Sequence, residues 1–100
     1  MGQVLAALCR IDLRIPGCTS LKEKRHVVKT LTASLRQKFN VAVAEVDHQD
    51  LWQRTAIAVS SVGAEGYQLR KVMHAVERHI GTFPTVEMID MQMTLHGPDD

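Results

Sequence analysis

Residues 20–52 constrain the fold of this chain more than any other stretch, because a helix pattern and two strand patterns follow one another directly. Ser20 is a typical helix N-cap, and Glu23 three residues later can return a hydrogen bond to the Ser20 amide. The apolar residues that follow share one side of a helical wheel, with Val28, Leu31 and Leu35 at its centre and Leu21, Val27 and Phe39 at its edges. The pattern predicts an amphipathic helix that ends near Lys38.

Strand patterns lie on both sides of this helix. Residues 4–15 alternate around one uninterrupted apolar face, and Pro16 and Gly17 end the alternation with a turn. After the helix, strands are predicted at residues 41–46 and 51–62. Only the four residues 47–50 separate these two strands, which is typical of an antiparallel hairpin.

The rest of the chain predicts a second helix and a final strand. Apolar residues recur at helical spacing ahead of Gly81, at Leu69, Val72, Met73, Val76 and Ile80. Residues 86–95 alternate as a strand, with Met88 on one face and Ile89, Met91, Met93 and Leu95 on the other.

The order strand-helix-strand-strand-helix-strand indicates the fold class. Each helix has one apolar stripe, and right-handed crossovers place both helices on the same sheet face. We therefore predict an α+β, ferredoxin-like βαββαβ sandwich, in which a four-stranded antiparallel sheet carries two helices on one face. For a chain of 100 residues, we expect residues 1–96 to form a single ferredoxin-like domain and residues 97–100 a disordered polar tail.

The same patterns predict which side chains are buried. The expected core consists of Leu5, Ala7, Cys9, Ile11, Leu13, Val28, Leu31, Leu35, Ile57, Val59, Val72, Val76, Ile89 and Met91. The sheet face opposite the helices has no helix to cover it, and its apolar residues are Val4, Ala6, Leu8, Ala56, Ala58 and Met88. A bare face that is half apolar usually meets a partner, and a symmetric contact is the commonest solution. A homodimer through this face is therefore predicted.

Charge is concentrated on the first helix. Residues 20–40 hold six lysine and arginine residues against one glutamate, in a chain whose net charge is only +1. These six are the candidate phosphate-binding residues: Lys22, Lys24, Arg25, Lys29, Arg36 and Lys38. Cations about one helical turn apart can neutralise successive phosphates of a nucleic acid. The alternative is an ordinary solvated helix face.

No residue pattern in the sequence indicates catalysis. Asp47, His48 and Asp50 lie in one turn, where aspartate is common for conformational reasons, and the five histidines are scattered over different elements. We predict a non-enzymatic protein with no cofactor, metal or membrane segment. The N-terminal residues lack a secretory signal, so a cytoplasmic location is expected.

Several short motifs resemble one known family. They are Ile15-Pro16-Gly17, Ser20-Leu21-Lys22-Glu23-Lys24-Arg25, Phe39-Asn40-Val41, Val43-Ala44-Glu45-Val46 and Asp50-Leu51-Trp52-Gln53. Together they resemble the YlxP-like family of small bacterial proteins of unknown function. The resemblance implies a ferredoxin-like fold, and a cytoplasmic RNA-related role, because genes of the family often lie beside translation and ribosome-maturation genes.

Two functional hypotheses follow. The first is RNA- or ribosome-associated binding through the basic helix. The alternative is a homodimeric structural or regulatory module that associates through its open sheet face. In one version of this hypothesis, a small-molecule ligand binds at the dimer interface.

Overall fold

The computed structural model of the protein describes residues 3–99 and contains the six predicted elements in the predicted order. They are β1 (Leu5–Arg14), α1 (Leu21–Lys38), β2 (Ala42–Asp47), β3 (Arg54–Gly63), α2 (Gly66–Ile80) and β4 (Glu87–His96). The strands form one sheet in the order β2-β3-β1-β4, and each neighbouring pair is antiparallel. Both helices pack against the same sheet face. The ferredoxin-like prediction is therefore confirmed.

The core is a single apolar layer between the sheet and the two helices. β1 lies at the centre of the sheet, and alternate side chains of β1 and β3 point into this layer. Nine of the predicted core residues are buried: Ala7, Cys9, Ile11, Leu13, Leu31, Leu35, Ile57, Val59 and Val76. Four more are half-buried against the same cluster, namely Leu5, Val28, Val72 and Met91.

The predicted core position of Ile89 is wrong, because a β-bulge changes the phase of β4. Asp12 of β1 lies opposite Asp90, but Leu13 lies opposite Met88, so Ile89 is the extra residue. Ile89 is 43% exposed. Met88, predicted on the open face, packs instead against the core. The strict alternation of the sequence pattern therefore holds only on one side of the bulge.

A second bulge shapes the hairpin of β2 and β3. Glu45 lies opposite Ile57 and Asp47 lies opposite Ala56, so Val46 is the extra residue here. The turn that follows contains His48 in the left-handed region, with φ 62°. β3 begins at Arg54, three residues later than predicted, because residues 51–53 belong to the turn.

The start of α1 follows the predicted cap with one difference. The Ser20 hydroxyl accepts a hydrogen bond from the Glu23 amide at 3.1 Å, as expected of an N-cap. The Glu23 carboxylate, however, accepts from the backbone N–H and the hydroxyl of Thr19 rather than from Ser20. The cap therefore extends one residue further back than the sequence pattern indicates.

The ends of the chain add two observations. Asp100, the last residue of the predicted tail, lies outside the described residues, and Gly97 and Pro98 line a pocket together with Val4 and Val62. The assignment of residues 1–96 to a single domain and 97–100 to a disordered tail stays a prediction. Neither helix of the described chain has the length and hydropathy that a membrane-crossing helix needs.

Candidate functional site

Three of the predicted phosphate-binding residues form an open cationic stripe along α1. Lys22, Arg25 and Lys29 are exposed, and their spacing of three and four residues places them on one side of the helix. None of the three forms an ion pair with a carboxylate in the described part of the chain. Their charges are therefore available to an anionic ligand.

Lys24, by contrast, is not a surface residue, and its assignment to the phosphate-binding set is wrong. Its side chain is 1% exposed. The Nζ atom lies 2.9 Å from Glu45 Oε2 and donates to the backbone carbonyl of His48. Thr55 adds a hydroxyl that donates to the same Glu45 oxygen at 2.6 Å. Lys24 therefore ties the start of α1 to the hairpin of β2 and β3.

The sequence contained a signal for this burial. On a helical wheel, Lys24 falls between Leu31 and Leu35, at the centre of the apolar stripe. Glu45 occupies the core-facing phase of β2, between apolar neighbours. A charged residue in each of two facing apolar patterns indicates a buried ion pair, since an unpaired charge there would be costly.

Arg36 lies at the side of α1 next to the edge strand β2. Its side chain is exposed, and its guanidinium donates a 2.6 Å hydrogen bond to the Val43 carbonyl. This bond covers a backbone acceptor of β2, an edge strand whose only neighbour in the described sheet is β3. Arg36 therefore stabilises the sheet edge and keeps its full positive charge, because its partner is a neutral carbonyl.

Lys38 lies on a different side of α1, towards α2. Together with Phe39, Ala75, Arg78, His79 and Thr82 it lines a pocket of about 280 Å³ where the two helices end. His79 joins the helices there, since its Nε2 lies 2.7 Å from the Ser34 hydroxyl and its ring meets Phe39 and Phe83 edge-on. Lys38 is exposed, but it is separate from the stripe of Lys22, Arg25 and Lys29.

The second helix contributes cations that the sequence analysis did not assign to the site. Arg70, Lys71 and Arg78 are exposed on α2. Across both helices, the exposed basic side chains are Lys22, Arg25, Lys29, Arg36, Lys38, Arg70, Lys71 and Arg78, against the exposed carboxylates Glu23 and Glu77. These eight cations and two anions give a net charge of +6 on what we call the cationic layer, and the rest of the chain sums to −5.

The open sheet face is polar at one end. Arg10 donates to Asp12 on its own strand and, at 3.0 Å, to Asp47 on β2. Because β3 lies between these strands, the ion pair crosses over β3 at its alanines, and Ala56 is fully buried beneath it. The Arg10 guanidinium and the His48 amide hold the pKa of Asp47 below its usual value.

The other end of the open face is apolar and exposed. Leu8 is 45% exposed and Val62 69% exposed, on neighbouring strands. Beside them, Ala42, Ala44 and Ala58 line a shallow pocket of about 180 Å³. A projecting leucine next to an alanine-lined hollow is a shape that a second apolar surface can fill.

Neither the Cys9 thiol nor a cluster of metal-ligating side chains forms a candidate reactive centre in residues 3–99. Burial, with a smaller effect of Glu77, raises the pKa of the Cys9 thiol to about 11, so this thiol stays protonated and unreactive. In residues 3–99, no group of three or more His, Cys, Asp or Glu side chains could hold a metal ion.

The fold and these surfaces define a small ferredoxin-like α+β protein with a cationic helical layer on one side and a half-apolar bare sheet on the other. Residues 6–93 match the family described as "Protein of unknown function (DUF503)", and the chain belongs to that family. The uncharacterized protein YlxP of Bacillus subtilis (strain 168) is 40% identical to it over 68 residues, which is 68% of this chain and 74% of that protein. The predicted family resemblance is confirmed, and the family description assigns no activity.

Two solved structures resemble this chain at low sequence identity. The de novo designed protein Foldit4 superposes with a TM-score of 0.53 at 13% identity, over 92% of this chain and 97% of that one. A putative antibiotic biosynthesis monooxygenase from Bacillus cereus gives a TM-score of 0.47 at 12% identity, over 99% of this chain and 96% of that one. The likeness to the designed protein supports the fold alone.

Proposed function

We propose that this protein is a non-enzymatic, RNA- or ribosome-associated protein that binds RNA phosphates through its cationic layer. The observation that carries the proposal is the division of charge, with +6 on the exposed helix residues and −5 on the rest of the chain. A surface of this kind attracts polyanions and gains free energy by releasing the counterions condensed on them.

The position of the cations on α1 supports a ligand rather than helix stability. Lys22 and Arg25 lie in the first two turns of α1, where the helix dipole disfavours positive charge. Neither has a carboxylate partner in the described chain. A bound phosphate would compensate both the dipole and the repulsion between neighbouring cations.

The sheet is a poor platform for stacking bases. Recognition on a sheet face requires aromatic side chains on the central strands, and neither β1 nor β3 contains one. Contacts through the cationic layer would therefore be mainly electrostatic, with weak sequence preference.

Two Arg→Glu variants with the same charge change test the proposal. Arg25 lies in the cationic layer, whereas Arg14 is exposed on the sheet side and forms a 3.5 Å ion pair with Glu87. Binding to a labelled ribosomal RNA hairpin is measured by fluorescence anisotropy over a series of salt concentrations. We expect the affinity of the unmodified protein to fall with a log–log slope of roughly −0.7 to −0.9 per phosphate neutralised.

Arg25→Glu should reduce the magnitude of that slope by roughly one phosphate equivalent, whereas Arg14→Glu should leave it unchanged. Circular dichroism on both variants checks that the fold is retained. Equal slopes for the two variants and the parent would show that the cationic layer is ordinary solvated surface.

As a second candidate function, we propose a homodimeric module joined through the open sheet face. The exposed Leu8 and Val62, next to the hollow of Ala42, Ala44 and Ala58, favour it. It is compatible with RNA binding, because the cationic layer lies on the opposite side of the sheet.

A further inference from the structure

The two edges of the sheet are built differently. β2 has six residues, contains the bulge at Val46, and receives the Arg36 guanidinium on its Val43 carbonyl. These are the features that protect sheet edges from further pairing. β4 has ten residues with no proline or lysine; its own bulge, at Ile89, lies near its start, and its segment 91–95 carries neither a bulge nor a charge. In residues 3–99 no strand pairs with the outer side of β4, so a long edge is left open.

A pocket lies directly beside this open edge. Met91 and Met93 of β4 line it together with Met73 of α2, and Arg70, His74 and Glu77 form its polar rim. Its volume of about 180 Å³ suits one bulky apolar side chain, since a cavity of roughly 150 Å³ holds a benzene molecule. Methionine side chains are flexible and adapt to differently shaped ligands.

The rim of the pocket is positive at its Arg70 end and negative at its Glu77 end, two helical turns away. His74 Nδ1 lies 3.8 Å from Glu77, so these two groups face one another. Arg70 is exposed and forms no ion pair in the described chain, and Lys71 and Arg78 are on the same helix. A ligand that complements this groove is therefore apolar at its centre and acidic at the end that meets Arg70.

We propose that the groove between α2 and the outer edge of β4 binds an extended, acidic–apolar segment of a partner protein. The segment adds to the sheet as a fifth strand through main-chain hydrogen bonds. One bulky apolar side chain enters the pocket of Met73, Met91 and Met93, and a neighbouring Asp or Glu pairs with Arg70. This proposal uses a different surface from the stripe of Lys22, Arg25 and Lys29 and does not depend on RNA binding.

Charge favours such a partner over a second copy of this chain. Edge-to-edge pairing of two β4 strands would bring two cationic layers, each of +6, side by side. Like charges in that arrangement repel, whereas an acidic segment is attracted to the same helix.

A library of random 12-residue peptides displayed on phage, selected against the full chain, tests the proposal. We expect enrichment of peptides that combine a Leu, Met or Phe with an Asp or Glu one or two positions away. A synthetic peptide of the enriched sequence should shift the amide signals of β4 and α2 in NMR spectra and leave those of β2 unchanged. The same peptide N-methylated at alternate residues should not bind, because it cannot donate main-chain hydrogen bonds.

The matched variants are Arg70→Glu and Lys71→Glu, which change the same charge on adjacent residues. Arg70→Glu should weaken the peptide about tenfold or more, the usual effect of losing a charge-assisted hydrogen bond. Lys71→Glu, outside the pocket lining, should change affinity less than threefold, and Arg25→Glu should bind the peptide as the parent does.

Three results would overturn the proposal. They are an absence of enriched peptides, a peptide that shifts the open sheet face instead of β4, and equal effects of Arg70→Glu and Lys71→Glu. Concentration-dependent protection of β4 amides in the protein alone would show that a second copy occupies the edge.

Discussion

Lys24 carries a charge at a position where the helix pattern requires an apolar residue. Removing an ammonium group from water costs several kcal/mol, and the ion pair with Glu45 offsets that cost only because its geometry is good. The bond to the His48 carbonyl adds a second role, since His48 has a backbone conformation that few non-glycine residues adopt. One side chain thus fixes both the start of α1 and the turn after β2.

We expect Lys24→Met to lower the free energy of unfolding by about 3 kcal/mol, because Glu45 would be left without its cation. Lys22→Met is the matched control on the exposed side of the same helix, and it should change stability by less than about 0.5 kcal/mol. Denaturant unfolding measures both. Adding Glu45→Gln to Lys24→Met should restore part of the loss, and a single-variant loss below about 1 kcal/mol would contradict the buried role.

At the scale of elements, the helices were predicted more accurately than the strands. The apolar face of a helix is defined by residues from several turns, so one irregular residue does not change it. The buried faces of α1 and α2 were accordingly predicted correctly, as the burial of Leu31 and Val76 shows. A strand has a period of two, and one extra residue reverses every later side chain. The bulges at Ile89 and Val46 are such insertions, and the local sequence contains no glycine or proline to mark them.

Because of the bulge in β4, we expect alanine substitutions of Leu31 and Ile89 to lower the free energy of unfolding by different amounts. Leu31→Ala should cost ~2–5 kcal/mol, because the side chain is buried between α1 and the sheet. Ile89→Ala should cost less than about 1 kcal/mol, since the bulge directs Ile89 towards solvent. Thermal or denaturant unfolding of the two variants measures the difference. Similar losses for both would mean that Ile89 belongs to the core.

The candidate site was only partly predictable, for a related reason. The exposed stripe of α1 follows from its wheel, which correctly places Lys22, Arg25 and Lys29 away from the core. The contacts of Arg36 with Val43 and of Arg10 with Asp47 depend on how separate elements meet, and no local pattern contains that information. The contribution of α2 to the cationic layer likewise becomes visible only when both helices are placed on one sheet face.

The whole molecule has two sides with different physical character. The helical side is strongly cationic, whereas the open sheet face pairs Arg10 and Arg14 with carboxylates and has an apolar patch at one end. Leu8 and Val62 on this patch are too exposed to contribute much to the core of a single chain. The dimer proposal therefore rests on this exposed apolar patch, which a partner would cover.

If two copies associate through the sheet face, light scattering should return about twice the chain mass of 11.2 kDa at high protein concentration. Leu8→Lys should restore the single-chain mass, because a charge would be placed in the contact. Leu51→Lys is the matched control, since Leu51 is 50% exposed in the turn before β3 and Leu8 is 45% exposed. A single-chain mass for the parent protein would rule out the sheet-face dimer.

The sheet order also sets how long a loop of chain each pair of strands must close. The β2–β3 hairpin closes between Asp47 and Ala56, the β1–β3 ladder between Arg14 and Arg54, and the β1–β4 ladder between Arg14 and Glu87, which is a loop of most of the chain. Longer loops cost more chain entropy to close, and proteins rich in such distant pairings fold slowly. In the described sheet β4 pairs only with β1, through the longest of the three loop closures, so we expect the strand with the open edge to be the last to join the sheet.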